Sequence, residues 1–129
     1  MPLILPIYYT EEFKTKADKV WLVGENAFRN WHYQLKNKVK QHYHELVFAQ
    51  CSSLSQVPGK FKLNIKLYYK NPTCDASNIV SKMEKFALDA LQDAGIIHND
   101  NVNYHISTTW EVAGKDTTNP RVEISIKEL

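Results

Sequence analysis

Pro72-Thr-Cys-Asp75-Ala-Ser77-Asn78-Ile79-Val-Ser-Lys82-Met-Glu-Lys85-Phe-Ala-Leu-Asp89-Ala-Leu-Gln-Asp-Ala-Gly95-Ile-Ile-His-Asn99-Asp100-Asn-Val102 is the stretch on which the fold of this chain turns. Pro72 cannot continue a helix backwards, so a loop precedes it. Asp75, Ser77 and Asn78 are all good N-cap types. From Ile79 the apolar residues fall at 79, 83, 86, 87, 90, 91 and 94, which is helical spacing. Gly95 supplies the C-terminal stop. At about 100° per residue, Asn78, Lys82, Lys85 and Asp89 share a polar stripe on the other side of this helix. Asp75 stands in the loop before it, and Asn99 and Asp100 in the loop after Ile96-Ile97. The expectation is that acidic groups from two loops converge beside a helix bearing two lysines. Carboxylate oxygens with open positions suit a hard divalent cation. A neighbouring lysine would neutralise charge developing on a phosphate oxygen. By residue type alone, each carboxylate also has a plainer role: Asp75 as a cap, Asp89 as a surface residue, Asp100 as a turn former.

Working outward, Lys60 to Tyr69 alternates strictly. Phe61, Leu63, Ile65 and Leu67 fall on one side and Lys60, Lys62, Asn64 and Lys66 on the other, the pattern of a half-buried strand. Before it, residues 50 to 59 form a turn-rich connection. A long helix is expected from about Asn26 to Phe48, with Phe28, Trp31, Leu35, Val39, Tyr43 and Leu46 at helical spacing. Lys36, Lys38 and Lys40 lie between these positions, either as a solvated face or as phosphate contacts. Residues 3 to 9 read as a short strand, with Pro6 suggesting an edge, and residues 10 to 20 as a lysine-rich loop. Beyond the central stretch, Val102 to Val112 reads as a strand, Ala113 to Pro120 as a hairpin connection, and Arg121 to Lys127 as a closing strand. The order β-α-β-α-β-β predicts an α+β fold, a mixed sheet of about four strands with two main helices packed on it.

The 129 residues, 43% of them hydrophobic, suit one domain, 1–129, with a core of its own. No apolar run is long enough for a membrane span. The proline-broken N-terminus has no basic region of the signal-peptide kind. Cys51 and Cys74 form no CxxC pattern, and free thiols in the cytoplasm are expected. Net charge is only +2, but it is unevenly spread: residues 1 to 70 carry 11 Lys/Arg against 5 Asp/Glu, and residues 71 to 129 carry 5 against 9. A basic half and an acidic half suit a protein that grips a polyanion with one part and a cation with the other. The five histidines show no zinc-site spacing, and no phosphate-binding glycine loop or GxSxG is present.

The central stretch resembles the signature of the RusA-type Holliday-junction resolvases, small homodimeric endonucleases mostly of phages and prophages. That pattern runs Asp-x-Asp-Asn, a lysine, Asp-Ala-Leu, an apolar pair, then Asp-Asp before a valine. This chain has Asp75-Ala-Ser77-Asn78, Lys85 four residues before Asp89-Ala90-Leu91, Gly95-Ile96-Ile97, and Asn99-Asp100-Asn-Val102. Outside residues 72 to 102 the similarity is one of layout. It departs from the pattern at Ser77 and Asn99, which stand where the family has aspartates, and in a helix one turn longer, so that Lys82 competes with Lys85 for the family lysine.

The resemblance implies a magnesium- or manganese-dependent endodeoxyribonuclease, acting as a homodimer on four-way junctions in recombination and repair, in a bacterial or phage-infected cytoplasm and not at a membrane. Asp75 and Asp100 would hold the metal, with Asp89 as a third ligand and Ser77 as a substitute one. Asp75, Lys85 and Asp100 would be catalytic. Asn78, Lys82, Lys85, Lys36, Lys38 and Lys40 would contact DNA, with Lys62 and Lys66 adding to the basic surface. The alternatives are a catalytically inactive junction-binding protein, which Ser77 and Asn99 favour, and a small protein-interaction module.

Overall fold

Strand β4 (Phe61–Tyr69) is the axis of the sheet. Its alternation is realised as read: Phe61, Leu63, Ile65 and Leu67 are buried, while Lys62 and Lys66 face solvent. The computed structural model describes residues 2–129. β1 (Leu3–Pro6), β6 (Arg121–Glu128) and β5 (His105–Lys115) join β4 in the order β1-β6-β4-β5. β6 runs antiparallel to both β1 and β4, and β5 runs parallel to β4. A parallel pair needs a crossover connection. Helix α3 (Ala76–Asp93) supplies it. The fold is α+β, a mixed four-stranded sheet with its helices on one face.

The helices cover the face that carries Leu3, Leu5, Leu63, Ile65, Leu67, Val122 and Ile124, all buried. Ile79, Met83, Ala87, Ala90 and Leu91 of α3 meet that face, along with Val39, Tyr43 and Val47 of α2 (Tyr33–Gln50). Tyr43 stacks on Phe86 with ring centroids 4.9 Å apart and joins the two helices. Its hydroxyl donates to the Pro6 carbonyl and so ties α2 to the end of β1. Gly95 ends α3 in the left-handed region at φ 76°, and the amides of Ile96 and Ile97 turn back to the Leu91 carbonyl. That is the glycine-terminated helix stop the sequence predicts. No described helix is long and apolar enough to cross a membrane.

Four local expectations need correction. Residues 3 to 9 are not one strand: the chain turns at Ile7, and β2 (Tyr8–Glu11) pairs with β3 (Lys19–Leu22) in a separate hairpin. The lysine-rich stretch 10 to 20 is therefore a hairpin tip with strand at both ends. The long helix is two helices, α1 (Glu25–Asn30) and α2, broken at Trp31-His32. His32 caps the second, its ring Nδ1 accepting from the Gln34 amide at 3.2 Å. Finally, residues 113 to 120 are not a hairpin connection, because β5 and β6 lie on opposite sides of β4. The turn 116–120 carries the chain over the end of β4, where the Asp116 amide donates to the Tyr69 carbonyl at 2.7 Å.

Candidate functional site

Asp75 is the N-cap of α3, as its residue type suggests. Its Oδ1 accepts from the Asn78 amide at 3.3 Å and from the Ser77 hydroxyl at 3.0 Å, and its Oδ2 from the Asn78 side-chain amide at 2.8 Å. The Asn78 amide, the Ser77 hydroxyl and the Asn78 side chain all favour the ionised form and hold this carboxyl below its usual range. A carboxylate has about four acceptor positions, so three donors leave it able to bind one more partner. It is exposed, on the rim of a hollow of about 190 Å³ shared with Leu22, Gly24, Asn26, Asn78 and Ile79. Ser77 and Asn78 thus act first on Asp75, orienting it.

Lys82 is not on an exposed stripe. It is 8% exposed, with Nζ 3.8 Å from the Phe28 ring centroid and 5.0 Å from that of Phe86. Burial holds its ammonium below the usual lysine range; Lys40 and Lys85 push the same way, and Glu25 and Asp89 oppose them. Helix α1 is the reason for the difference. It packs over α3 and lays Phe28 on what is otherwise the polar stripe, so the 100° projection of an isolated helix does not show the cover. The rings accept the cation on their faces, which offsets part of its lost hydration. Lys36 Nζ also approaches Phe28, at 5.8 Å. Lys36 and Lys82 thus lie at the Phe28–Phe86 pair, and Lys40 and Lys85 are near enough to act on the Lys82 charge, a basic cluster drawn from two helices.

The other predicted lysines lie elsewhere. Lys38 is turned away and pairs with Glu11 of β2 at 2.8 Å. Lys62 and Lys66 lie on the helix-free face of the sheet, so they share no surface with Lys36 and Lys40. Asp89 is exposed and borders a hollow of about 300 Å³ with Lys40, His44, Phe86, Gln92 and Asp93. The His44–Asp93 contact there, at 3.0 Å, is one the sequence did not mark.

The carboxylates do not converge within one protomer. Asp89 follows Asp75 by 14 positions along one continuous helix, about 21 Å at 1.5 Å per residue. Asp100 lies past the far end of α3, whose last residue is about 27 Å along the helix from the cap, on the side of the start of β4 and β5 where Phe61 pairs with His105. Asn99 and Asn101 build the Asp100 loop, their side-chain oxygens accepting from the amides of Asn101 and Asn103 at 2.9 and 3.0 Å. Among the described residues, no three His, Cys, Asp or Glu side chains come together as a metal-holding group. A divalent ion held jointly by Asp75, Asp89 and Asp100 of one chain does not fit this fold. The sequence places these residues before, on and after one predicted helix, and the rise of that helix parts them.

No protein-family model matches the chain, and no curated protein matches it.

Proposed function

We propose that this chain is a metal-dependent endodeoxyribonuclease that resolves four-way DNA junctions by paired symmetric nicks, in recombination and repair. The observation that carries the reading is Asp75: an exposed carboxylate held ionised by three donors, in the ordered series Asp75, Asn78, Lys85, Asp89-Ala90-Leu91, Asp100. Magnesium or manganese is the cofactor this reading takes. One protomer's carboxylates do not fit such an ion, and the roles that rest on this chain's own side chains are those of charge and contact. Asp75 and Asp100 are the catalytic carboxylates. Lys85, exposed on α3, meets the negative charge that builds on the phosphate as its phosphodiester bond breaks. Lys36 and Lys40 contact backbone phosphates, which positions the DNA without reading its sequence.

Cleavage of a labelled synthetic junction tests this reading. Asp75→Asn keeps a good cap and so keeps α3. The expected result is that Asp75→Asn and Asp100→Asn bind the junction like the wild type and make no nicks, and that Lys85→Ala cuts about 10²-fold more slowly. Full-rate nicking by either aspartate variant would remove that residue from the site. Ser77 and Asn99, standing in place of two carboxylates, favour a second reading, a junction-binding protein without nuclease activity. Its signature is tight junction binding with no nicks in either metal.

A further inference from the structure

Lys82 is the one charged side chain that this fold buries among the described residues. A buried lysine costs free energy unless an acid pairs with it. Among the described residues, no acid forms an ion pair with Lys82. Its surroundings add to that cost. Nζ lies 3.8 Å from the Phe28 ring centroid, and Lys40 and Lys85 bring like charge toward it, against Glu25 and Asp89. Phosphate contact does not need this arrangement, because the more accessible Lys36, Lys40 and Lys85 supply it. What a desolvated lysine among other cations gains is a larger share of free amine, the form that attacks a carbonyl.

We propose that the Lys82 amine is a nucleophile toward the aldehyde of an abasic site in DNA, which gives this protein a metal-independent lyase activity beside its junction chemistry. The inference rests on the DNA contact in the reading above and not on its metal-dependent step. The substrate class follows from the neighbours. Lys36, Lys40 and Lys85 flank the amine, so the carbonyl arrives on a polyanion. In DNA the aldehyde is C1′ of a deoxyribose that has lost its base and opened its ring. Such a sugar leaves the stack at little cost. A hollow of about 300 Å³, bordered by Lys40, Phe86 and Asp89, opens beside a ring on which the Lys82 ammonium rests, and gives the sugar room. The flexible stem lets Nζ turn from the rings to meet it. The amine adds to C1′ and water leaves, forming a protonated imine. A base then removes a C2′ proton, the C3′–O bond breaks, and the phosphate departs with the downstream strand as its 5′ end. Water hydrolyses the imine, releasing an unsaturated aldehyde and the free amine. Glu25 of α1 acts most strongly of the nearby acids on the Lys82 charge and is the base for that proton.

A duplex with one abasic site, in chelator, tests this, with borohydride added to reduce the imine to a stable amine. The expected result for the wild type at pH 7 is a covalent protein–DNA adduct whose peptide map places the DNA on Lys82. Without borohydride the strand is cut, leaving a 5′-phosphate. Lys82→Met, which keeps the stem, and Lys82→Arg, which keeps the charge, should both lose the adduct. Glu25→Gln should still form it and cut about 10²-fold more slowly; cutting at the wild-type rate would overturn the role of Glu25. The map on the wild type does not depend on how any variant folds. An adduct on another amine, or none at protein concentrations that saturate the duplex, would overturn the proposal. Junction nicking in metal with no Lys82 adduct would leave the nuclease reading standing without the lyase. A Lys82 adduct beside junctions left intact in both metals would leave the lyase and remove the nuclease.

Discussion

Lys82 shows how a single side chain takes its character from what covers it. Its four-carbon stem lies in the core and its ammonium rests between two phenyl rings. A lysine whose folded pKa lies below its unfolded value of 10.5 binds its proton less well when folded. Between those two values the unfolded chain carries more protons, so stability rises with pH through that window. Lys82→Met preserves the stem and removes the charge. Its denaturant midpoint should equal or exceed that of the wild type at pH 7, and the gap should narrow toward pH 10. A midpoint that falls with the substitution and stays low at pH 10 would mean that the ammonium stabilises the fold through a partner.

Asp75 has the opposite sign. Its folded pKa lies below the unfolded 3.8, so its contribution is present above that value and lost as the pH falls through the lowered one. Asp75→Asn, which caps without titrating, should flatten that part of the acid unfolding curve. An unchanged acid limb would show that the cap does not contribute to it.

At the scale of elements, the strongly periodic pieces were the legible ones. β4 alternates, α3 has both a cap and a glycine stop, and both appear where the pattern put them. What escaped depended on partners. The Phe28, Trp31, Leu35 series keeps helical spacing across Trp31-His32, so periodicity ran α1 into α2; the break is a matter of the His32 cap. β2 and β3 are four residues each and are held as a pair. Short mutual pairing leaves a weak pattern in either strand alone. The α1 helix matters out of proportion to its six residues, because Phe28 is the lid on Lys82. Phe28→Ala should cost about 3 kcal/mol, as large-to-small changes in a core do, and should let the Lys82 amine titrate closer to 10.5. Retention of the depressed titration by NMR would mean that Phe86 alone buries the amine.

Across the whole molecule, the charge asymmetry between the two halves of the sequence does not map onto two faces. Lys62 and Lys66 sit behind the sheet, Lys38 is paired with Glu11, and the accessible basic group is Lys36, Lys40 and Lys85 around the buried Lys82. Each phosphate contact contributes about 0.9 to the slope of log affinity against log salt. Reversing Lys36, Lys40 and Lys85 to Glu should therefore lower that slope for a junction by about 3. Reversing Lys62 and Lys66 should leave it near the wild-type value, and equal losses from both sets would place DNA on both faces. The candidate carboxylates were legible as residues, because the motif is local. Their separation follows from the length of α3, which the Asp75 cap and the Gly95 stop already imply in the sequence, so the expectation that they converge overlooked the rise of the helix between them. Nuclease action on a junction is the claim that gathers these features. Its most direct measurement is end-labelled four-way junction incubated with wild-type protein in magnesium, in manganese and in chelator. Nicks at symmetric positions on opposite strands, present with metal and absent with chelator, are the predicted result; an intact junction under both metals, at protein concentrations that saturate binding, would contradict it.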